Sequence, residues 1–249
     1  MSGHSKWATI KHKKAATDAK RGQAFTKIIR ELTVAARHGG GDETMNSRLR
    51  MVIGKAKAVN MPHDTMRKAI MRGTGELEGV NYEEKLYEGY GPGGAAILIE
   101  ALTDNTNRTS GEMRHVLSRN AGRLADPGSV AYLFKSKGLL VFAADAVSED
   151  QLMEKLLDAG VEDISKNDDG SMEVTCETSA FQAVKQAADD AGFKYVSAEL
   201  ARIPNMTVHL EGDDAQKMMK LMEALEEHDD VQNVYANFDI SQADMEASA

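Results

Sequence analysis

The chain has 249 residues, 42% hydrophobic and 28% charged, enough to bury a core and keep a charged surface. No run approaches the roughly 20 apolar residues of a membrane helix, and no apolar segment follows the basic opening MSGHSKWATIKHKK, which argues against a secretory signal. The sole cysteine, Cys176, excludes an internal disulfide and a cysteine-rich zinc site, and these features together predict a protein of a reducing cytoplasm.

The net charge of −9 conceals a segregation. Residues 1–75 hold 16 Lys/Arg and 5 Asp/Glu, net +11, whereas residues 76–249 hold 14 and 34, net −20. A split of this kind points to a polyanionic partner for the basic part. An anionic membrane is the competitor, and it is weakened because the basic helices carry no more apolar surface than a small core needs.

Residues 1–14 read as a basic arm. Thr17 or Asp18 caps a helix running to about His38, with Phe25, Ile28, Ile29, Leu32 and Ala36 at helical spacing, and Gly39-Gly40-Gly41 stops it. A second helix is expected from about Thr44 to Val59, with Leu49, Val52, Ile53 and Ala56 on one face. Pro62 suits the first turn of a third, which carries Met66 and Ile70 and ends at Gly73. Three short amphipathic helices predict a small bundle.

Composition and charge change across GTGELEGVN, so a domain boundary falls there. KLYEGY and AAILIEAL then read as strands joined by the turn Gly91-Pro92-Gly93-Gly94. Asp104 or Asn105 caps a helix bearing Met113, Val116 and Leu117, and SVAYLF reads as another short strand. Residues 136–203 carry strand, helix, two strands around the Asp168-Asp169-Gly170 turn, helix and strand, the βαββαβ order of a ferredoxin-like sandwich. The remainder gives strand MTVHLE, helix DDAQKMMKLMEALEEH and strand VQNVYANF. Joined to residues 95–134 this makes a second βαββαβ, with KLYEGY as an extra strand.

The expected fold class is therefore multi-domain α + α/β (α+β). An N-terminal three-helix bundle is followed by two ferredoxin-like α+β sandwich domains, one inserted in the other. The expected domains are 1–75, 76–135 plus 204–240, and the insert 136–203.

Candidate contacts to nucleic acid follow from charge. Lys6, Lys11, His12, Lys13, Lys14, Lys20 and Arg21 crowd the arm and the start of the first helix. Each phosphate that such residues neutralise releases counterions, so affinity should fall steeply with salt. Trp7, the only tryptophan, either stacks on an unpaired base or anchors the arm to the bundle. Helices two and three add Arg48, Arg50, Lys55, Lys57, Arg67, Lys68 and Arg72. Arg48 with Lys55, and Arg50 with Lys57, lie seven apart and share a face, a spacing that suits a row along a phosphate backbone. Arg108, at a helix start among hydroxyls, is a candidate anion contact, although the same residues serve as ordinary caps.

Gly89-Tyr90-Gly91-Pro92-Gly93-Gly94 resembles a phosphate loop only superficially. A strand follows it and it has no Lys, so it reads as a hairpin turn. The histidines show no metal spacing, no nucleophile elbow or HExxH helix occurs, and Cys176 sits mid-strand among acids that would not activate a thiol. No catalytic residue, cofactor, metal or small-molecule substrate is expected, and the protein reads as a non-enzyme.

The blocks GHSKWATIKHKKAATDAKRGQAFTKIIREL, NMPHDTMRKAIMRGTG, YEGYGPGGAAILIEALTDNTNRT and GSVAYLFKSKG occur in order, and through them the chain resembles the YebC/PmpR family along essentially its whole length. The resemblance implies a helical N-terminal domain, two α+β domains nested one in the other, and control of gene expression by nucleic-acid binding. Members have been called DNA-binding transcriptional regulators. A mitochondrial relative activates cytochrome oxidase translation, and other bacterial members are linked to ribosomes stalled on proline-rich stretches. The expected function is thus a DNA-binding transcriptional regulatory protein. The alternative is a ribosome- or RNA-associated translation factor that relieves such stalling. One departure lies in the stretch Asn120 to Gly128, Gly-rich in the family, where Ala121 and Ala125 replace two expected glycines.

Overall fold

The computed structural model describes residues 18–167 and 169–241. Three helices come first: α1 (Asp18–Gly39), α2 (Ser47–Ala58) and α3 (His63–Thr74). Ile28, Leu32, Ala35 and Ala36 of α1 are buried against Leu49, Val52 and Ala56 of α2 and Met66 and Ala69 of α3. Each fully buried large side chain of this set contributes roughly 1.5–3 kcal/mol. Gly73 lets α1 and α3 touch, since a Cβ there would stand 2.3 Å from the carbonyl oxygen of Thr33.

The second helix starts later than Thr44. Asp42 accepts from the Thr44 amide and hydroxyl, which turns the chain before helix geometry begins. Buried Asn46 is the cap. Its Oδ1 accepts from the Leu49 amide at 3.0 Å, while its Nδ2 donates to the carbonyls of Ala35 and Gly40, both at 2.8 Å. One side chain thus closes the end of α1 and the beginning of α2.

The first sheet takes β1 (Glu83–Tyr90), β2 (Ala96–Thr103), β3 (Arg123–Ala125) and β9 (Val231–Ala236) in the order β3-β1-β2-β9, antiparallel throughout. Helices α4 (Thr106–Arg119) and α7 (Gly212–Glu226) cover one face through Met113, Leu117, Met218, Met222 and Leu225. The second sheet takes β4 (Phe134–Phe142), β5 (Val161–Lys166), β6 (Met172–Cys176) and β7 (Ser197–Pro204) in the order β5-β6-β4-β7. That is the strand order of a ferredoxin-like sandwich. Helices α5 (Glu149–Leu156) and α6 (Phe181–Asp190) cover it through Leu152, Leu156, Phe181 and Val184. The fold is three helices followed by two antiparallel α+β layers, the second entered after β3 and left before β9.

Three details differ from expectation. SVAYLF is not a strand. Residues Ala131–Leu133 form a single 3-10 turn, and pairing begins only at Phe134. KLYEGY is not an extra strand but lies inside the first sheet, paired on both sides. MTVHLE contributes only β8 (Val208–Leu210), which pairs in parallel with β10 (Phe238–Ile240) outside the four-stranded sheets. The open faces of the two large sheets pack on each other through Ala96, Leu98 and Tyr235 from one and Leu139, Val141 and Ala201 from the other, with Val130 and Phe134 between them. That apolar seam makes the two α+β layers one packed body.

Ala121 adopts a φ of 59°, left-handed backbone that an L side chain resists by roughly 1–2 kcal/mol. The neighbouring glycine serves a different need, close approach, since a Cβ on Gly122 would lie 2.8 Å from the carbonyl oxygen of Tyr90. Ala121→Gly is expected to raise stability by about 0.5–1 kcal/mol, the relief of strain less the added freedom of the unfolded chain. A denaturant midpoint that stays put or falls would contradict this.

Candidate nucleic-acid interface

The predicted contact residues divide by what they touch. Lys6, Trp7, Lys11, His12, Lys13 and Lys14 lie outside the described residues, as do the side chains of Lys20 and Arg21. On α2, Arg48 pairs with Glu84 of β1, and Lys55 pairs with Glu31 of α1 at 3.1 Å. Arg50 is turned back on its own helix entry, donating to the carbonyls of Glu43 at 2.9 Å and Thr44 at 2.7 Å. Lys57, Arg67, Lys68 and Arg72 are exposed, and among the described residues none has a carboxylate within 4 Å. The row expected on α2 is therefore partly drawn into the protein's own ion pairs. The exposed cations that remain run from Lys57 onto α3.

Arg108 stands apart from this face. It starts α4, where Asn105 is the cap, accepting from the Arg108 amide at 3.1 Å. Its guanidinium reaches Asp104 at 2.9 Å and Asp230 at 2.7 Å. The hydrogen bond to Asp230, ahead of the opposing effect of burial, raises Arg108 above its ordinary value. The anion it holds is the protein's own.

Asp230 gathers more than Arg108. Arg30 of α1 donates to its other oxygen at 2.6 Å, and the Thr109 hydroxyl donates at 2.6 Å. Burial alone would raise this carboxyl. The hydrogen bonds from Thr109, Arg108 and Arg30 outweigh it and hold the group at about 2. Arg30 also donates to the carbonyls of Asp229 at 2.7 Å and Leu102 at 3.3 Å. On the preceding turns of the same helix, Lys27 donates to the Glu226 carbonyl at 2.6 Å and Gln23 to that of Glu227. Gln23, Lys27 and Arg30 lie on one face of α1 and meet the C-terminal end of α7, where a helix presents unpaired carbonyls and partial negative charge. Farther along, Arg37 donates to Asn81 and to the carbonyls of Val80 and Tyr82, which ties down the connection into β1. The bundle is thus set on the α+β body by its own basic side chains.

This docking cluster was not legible from the chain. Arg30 reads as one more exposed cation, and Asp230 sits in EEHDDV, a run that looks like a solvated helix end. The one available signal is helical spacing, which puts Gln23, Lys27 and Arg30 on one α1 face.

Among the described residues, Glu112, His228 and Asp230 come close enough to suggest a metal. The chemistry of that donor set argues otherwise. Both Asp230 oxygens already receive guanidinium groups, and a divalent ion would stand against two fixed positive charges. The Nδ1 of His228 accepts from the Asp230 amide at 3.1 Å, so its Nε2 carries the proton toward Glu112 at 2.9 Å. No described helix is long and apolar enough to cross a membrane.

Asp230 is depressed from 3.8, so its contribution is fully present above about pH 4 and is lost as pH falls through about 2. That loss is worth about 2 kcal/mol. Asp230→Asn leaves two guanidinium groups without their carboxylate and should cost about 3–5 kcal/mol near neutral pH. Denaturant titrations from pH 5 to pH 2 should show the difference between wild type and variant narrowing with acid. A constant difference would remove Asp230 as the source.

Residues 5–76 match the family domain described as "TACO1/YebC protein N-terminal domain", and residues 82–238 that described as "TACO1/YebC second and third domain". A protein of Acidithiobacillus ferrooxidans is 55% identical over 245 residues, covering 98% of this chain and 97% of its own. One of Geobacter sulfurreducens is 53% identical over 246 residues, covering 99% of each. Both bear the name "Probable transcriptional regulatory protein". The crystal structure of a conserved hypothetical protein from Aquifex aeolicus is similar with a TM-score of 0.84 and 44% identity, over 94% of this chain and 96% of that one.

Proposed function

The chain belongs to the TACO1/YebC family, and on that premise we propose that it is a nucleic-acid-binding regulator of gene expression, a DNA-binding transcriptional regulatory protein acting in the cytoplasm without catalysing a reaction. The names of its full-length relatives support the regulator. The observation that carries the binding is the exposed cationic face of α2 and α3, where Lys57, Arg67, Lys68 and Arg72 point to solvent with no carboxylate at ion-pair distance among the described residues. An unpaired cation keeps its charge for a phosphate, whereas a paired one must first give up a partner. We assign Arg50 and the basic residues from Lys6 to Arg21 to the same contact. Arg48 and Lys55 join it only if they exchange Glu84 and Glu31 for phosphate. Arg108 is left out.

Contacts of this kind position a protein on a backbone and carry little sequence information. The binding should therefore be strongly salt-dependent. Replacing Arg67 and Lys68 by Ala together should weaken binding to duplex DNA and flatten the plot of log affinity against log salt by about two units, roughly one per lost phosphate contact. Anisotropy titrations between 50 and 200 mM salt measure this, and an unchanged slope would take the face out of the interface. Crosslinking in cells, with both DNA and RNA partners sequenced, tests the physiological role. Promoter DNA is the expected yield, and ribosomal RNA alone would replace the transcriptional reading with a translational one.

A further inference from the structure

The acidic part of the chain contains one basic stretch that the bundle does not account for. Residues 114–137 hold five Lys/Arg and a single Asp, inside a portion of net charge −20. Lys137 is taken up by Glu162 and Glu177. Arg119 and Arg123, on either side of the tight turn after α4, are exposed and have no carboxylate at ion-pair distance among the described residues. The Arg123 guanidinium lies over the Tyr90 ring, 4.6 Å from its centroid, and Tyr90 in turn donates its hydroxyl to the Ser129 carbonyl at 3.3 Å.

The loop that follows is held with unusual care for a surface connection. Buried Glu88 of β1 accepts from the amides of Gly128 at 2.6 Å, Val130 at 2.6 Å and Ala131 at 2.8 Å. Burial would raise this carboxyl, and the backbone donors overcome that and lower it. The next residue is Tyr132, with 71% of its surface exposed. Asn205 braces it from the neighbouring connection, its amide donating to the Leu133 carbonyl at 2.8 Å, and Met206 beside it is 60% exposed. A buried carboxylate thus fixes the backbone under an aromatic ring that packs on little of the protein itself. An exposed aromatic and arginines free of carboxylates, carried on one short segment and linked through Arg123, Tyr90 and Ser129, are the residue types by which proteins stack unpaired bases and hold the adjoining phosphates.

We propose that the 119–132 segment is a second nucleic-acid contact, in which Tyr132 stacks on an unpaired base and Arg119 and Arg123 hold the flanking phosphates of a single-stranded segment. It rests on the nucleic-acid reading above and adds a preference for single strands that the α2–α3 face does not supply. The occupant is a nucleic acid because the patch is basic within an acidic body, and an apolar protein partner would use neither arginine.

The test is binding of the full-length protein to labelled 12-nucleotide single strands, RNA and DNA, and to a duplex of the same length. Tyr132→Ala should weaken single-strand binding about tenfold, Tyr132→Phe should stay within about twofold, and both should bind duplex as wild type does. Arg123→Ala should flatten the salt dependence for single strands by about one unit. An unchanged thermal midpoint confirms that the exposed ring was not holding the fold. If Tyr132→Ala binds single strands like wild type while Arg67→Ala with Lys68→Ala binds weakly, the second contact is overturned, the patch passes to a protein partner, and the proposed function stands. Equal losses in the Ala and Phe variants overturn stacking. Wild-type protein that binds duplex and no single strand overturns the second contact alone. Wild-type protein that binds neither overturns both readings.

Discussion

Asp230 sits almost wholly out of solvent between Arg30, which arrives from the helical bundle, and Arg108, which arrives from α4 of the first α+β layer. A charge in that position is tolerable only while both guanidiniums and the Thr109 hydroxyl are in place. The site therefore works as a three-way register. The bundle, the start of α4 and the turn between α7 and β9 must all arrive together, or a buried charge is left uncompensated. Hydrophobic contact alone would let helices slide by a fraction of a turn at small cost. An ion cluster with its donors aimed from separate elements does not, and the orientation of the basic face relative to the body follows from it.

The same requirement explains why the charge segregation does not leave the bundle loosely tethered to the body. The bundle's net charge is positive and the body's negative, but the attraction is spent at particular addresses. Gln23 and Lys27 meet the open carbonyls at the end of α7, Arg30 meets Asp230, and Arg48 meets Glu84. The two α+β layers are joined by other means, an apolar seam between sheet faces with Glu100 and Arg202 paired at its margin at 3.1 Å. Polar docking on one side and an apolar seam on the other give the body internal rigidity, and make the bundle joint the one whose strength depends on the ionisation of Asp230.

Sequence patterning revealed the elements whose burial is periodic. The helical stripe through Ile28 and Leu32, the β4–α5–β5–β6–α6–β7 insert and the return of the chain to the first sheet all rest on apolar spacing that survives in the fold. It failed where a backbone is held by something other than its own pattern. SVAYLF has the composition of a strand, yet its Val130 and Ala131 amides are claimed by Glu88, 42 and 43 residues away, and cannot enter a ladder. MTVHLE is shortened because its strand partner is the three-residue β10 and not the sheet. Arg108 read as an anion contact because its acceptor, Asp230, lies 122 residues distant. In each case the deciding partner is far off in sequence, which no local window contains. The resemblance to a family agrees with the patterns on the nested order of the α+β domains. It also singled out Ala121, a residue whose left-handed backbone gives physical content to the glycine expected there.

Counting cations measures how much positive charge a surface owns, and the ion-pair map measures how much of it is available. Arg30, Arg48, Lys55, Arg108 and Lys137 are all cationic, and all are answered by carboxylates of the same chain. A polyanion approaching any of them must replace an existing partner, and where that partner is buried, as at Asp230, the exchange would strand a charge. Lys57, Arg67, Lys68 and Arg72 pose no such obstacle. The acidic body therefore sorts the basic residues into those that build the molecule and those left facing outward. That sorting confines the described part of the proposed binding face to a smaller and better defined surface than the charge of residues 1–75 alone would suggest.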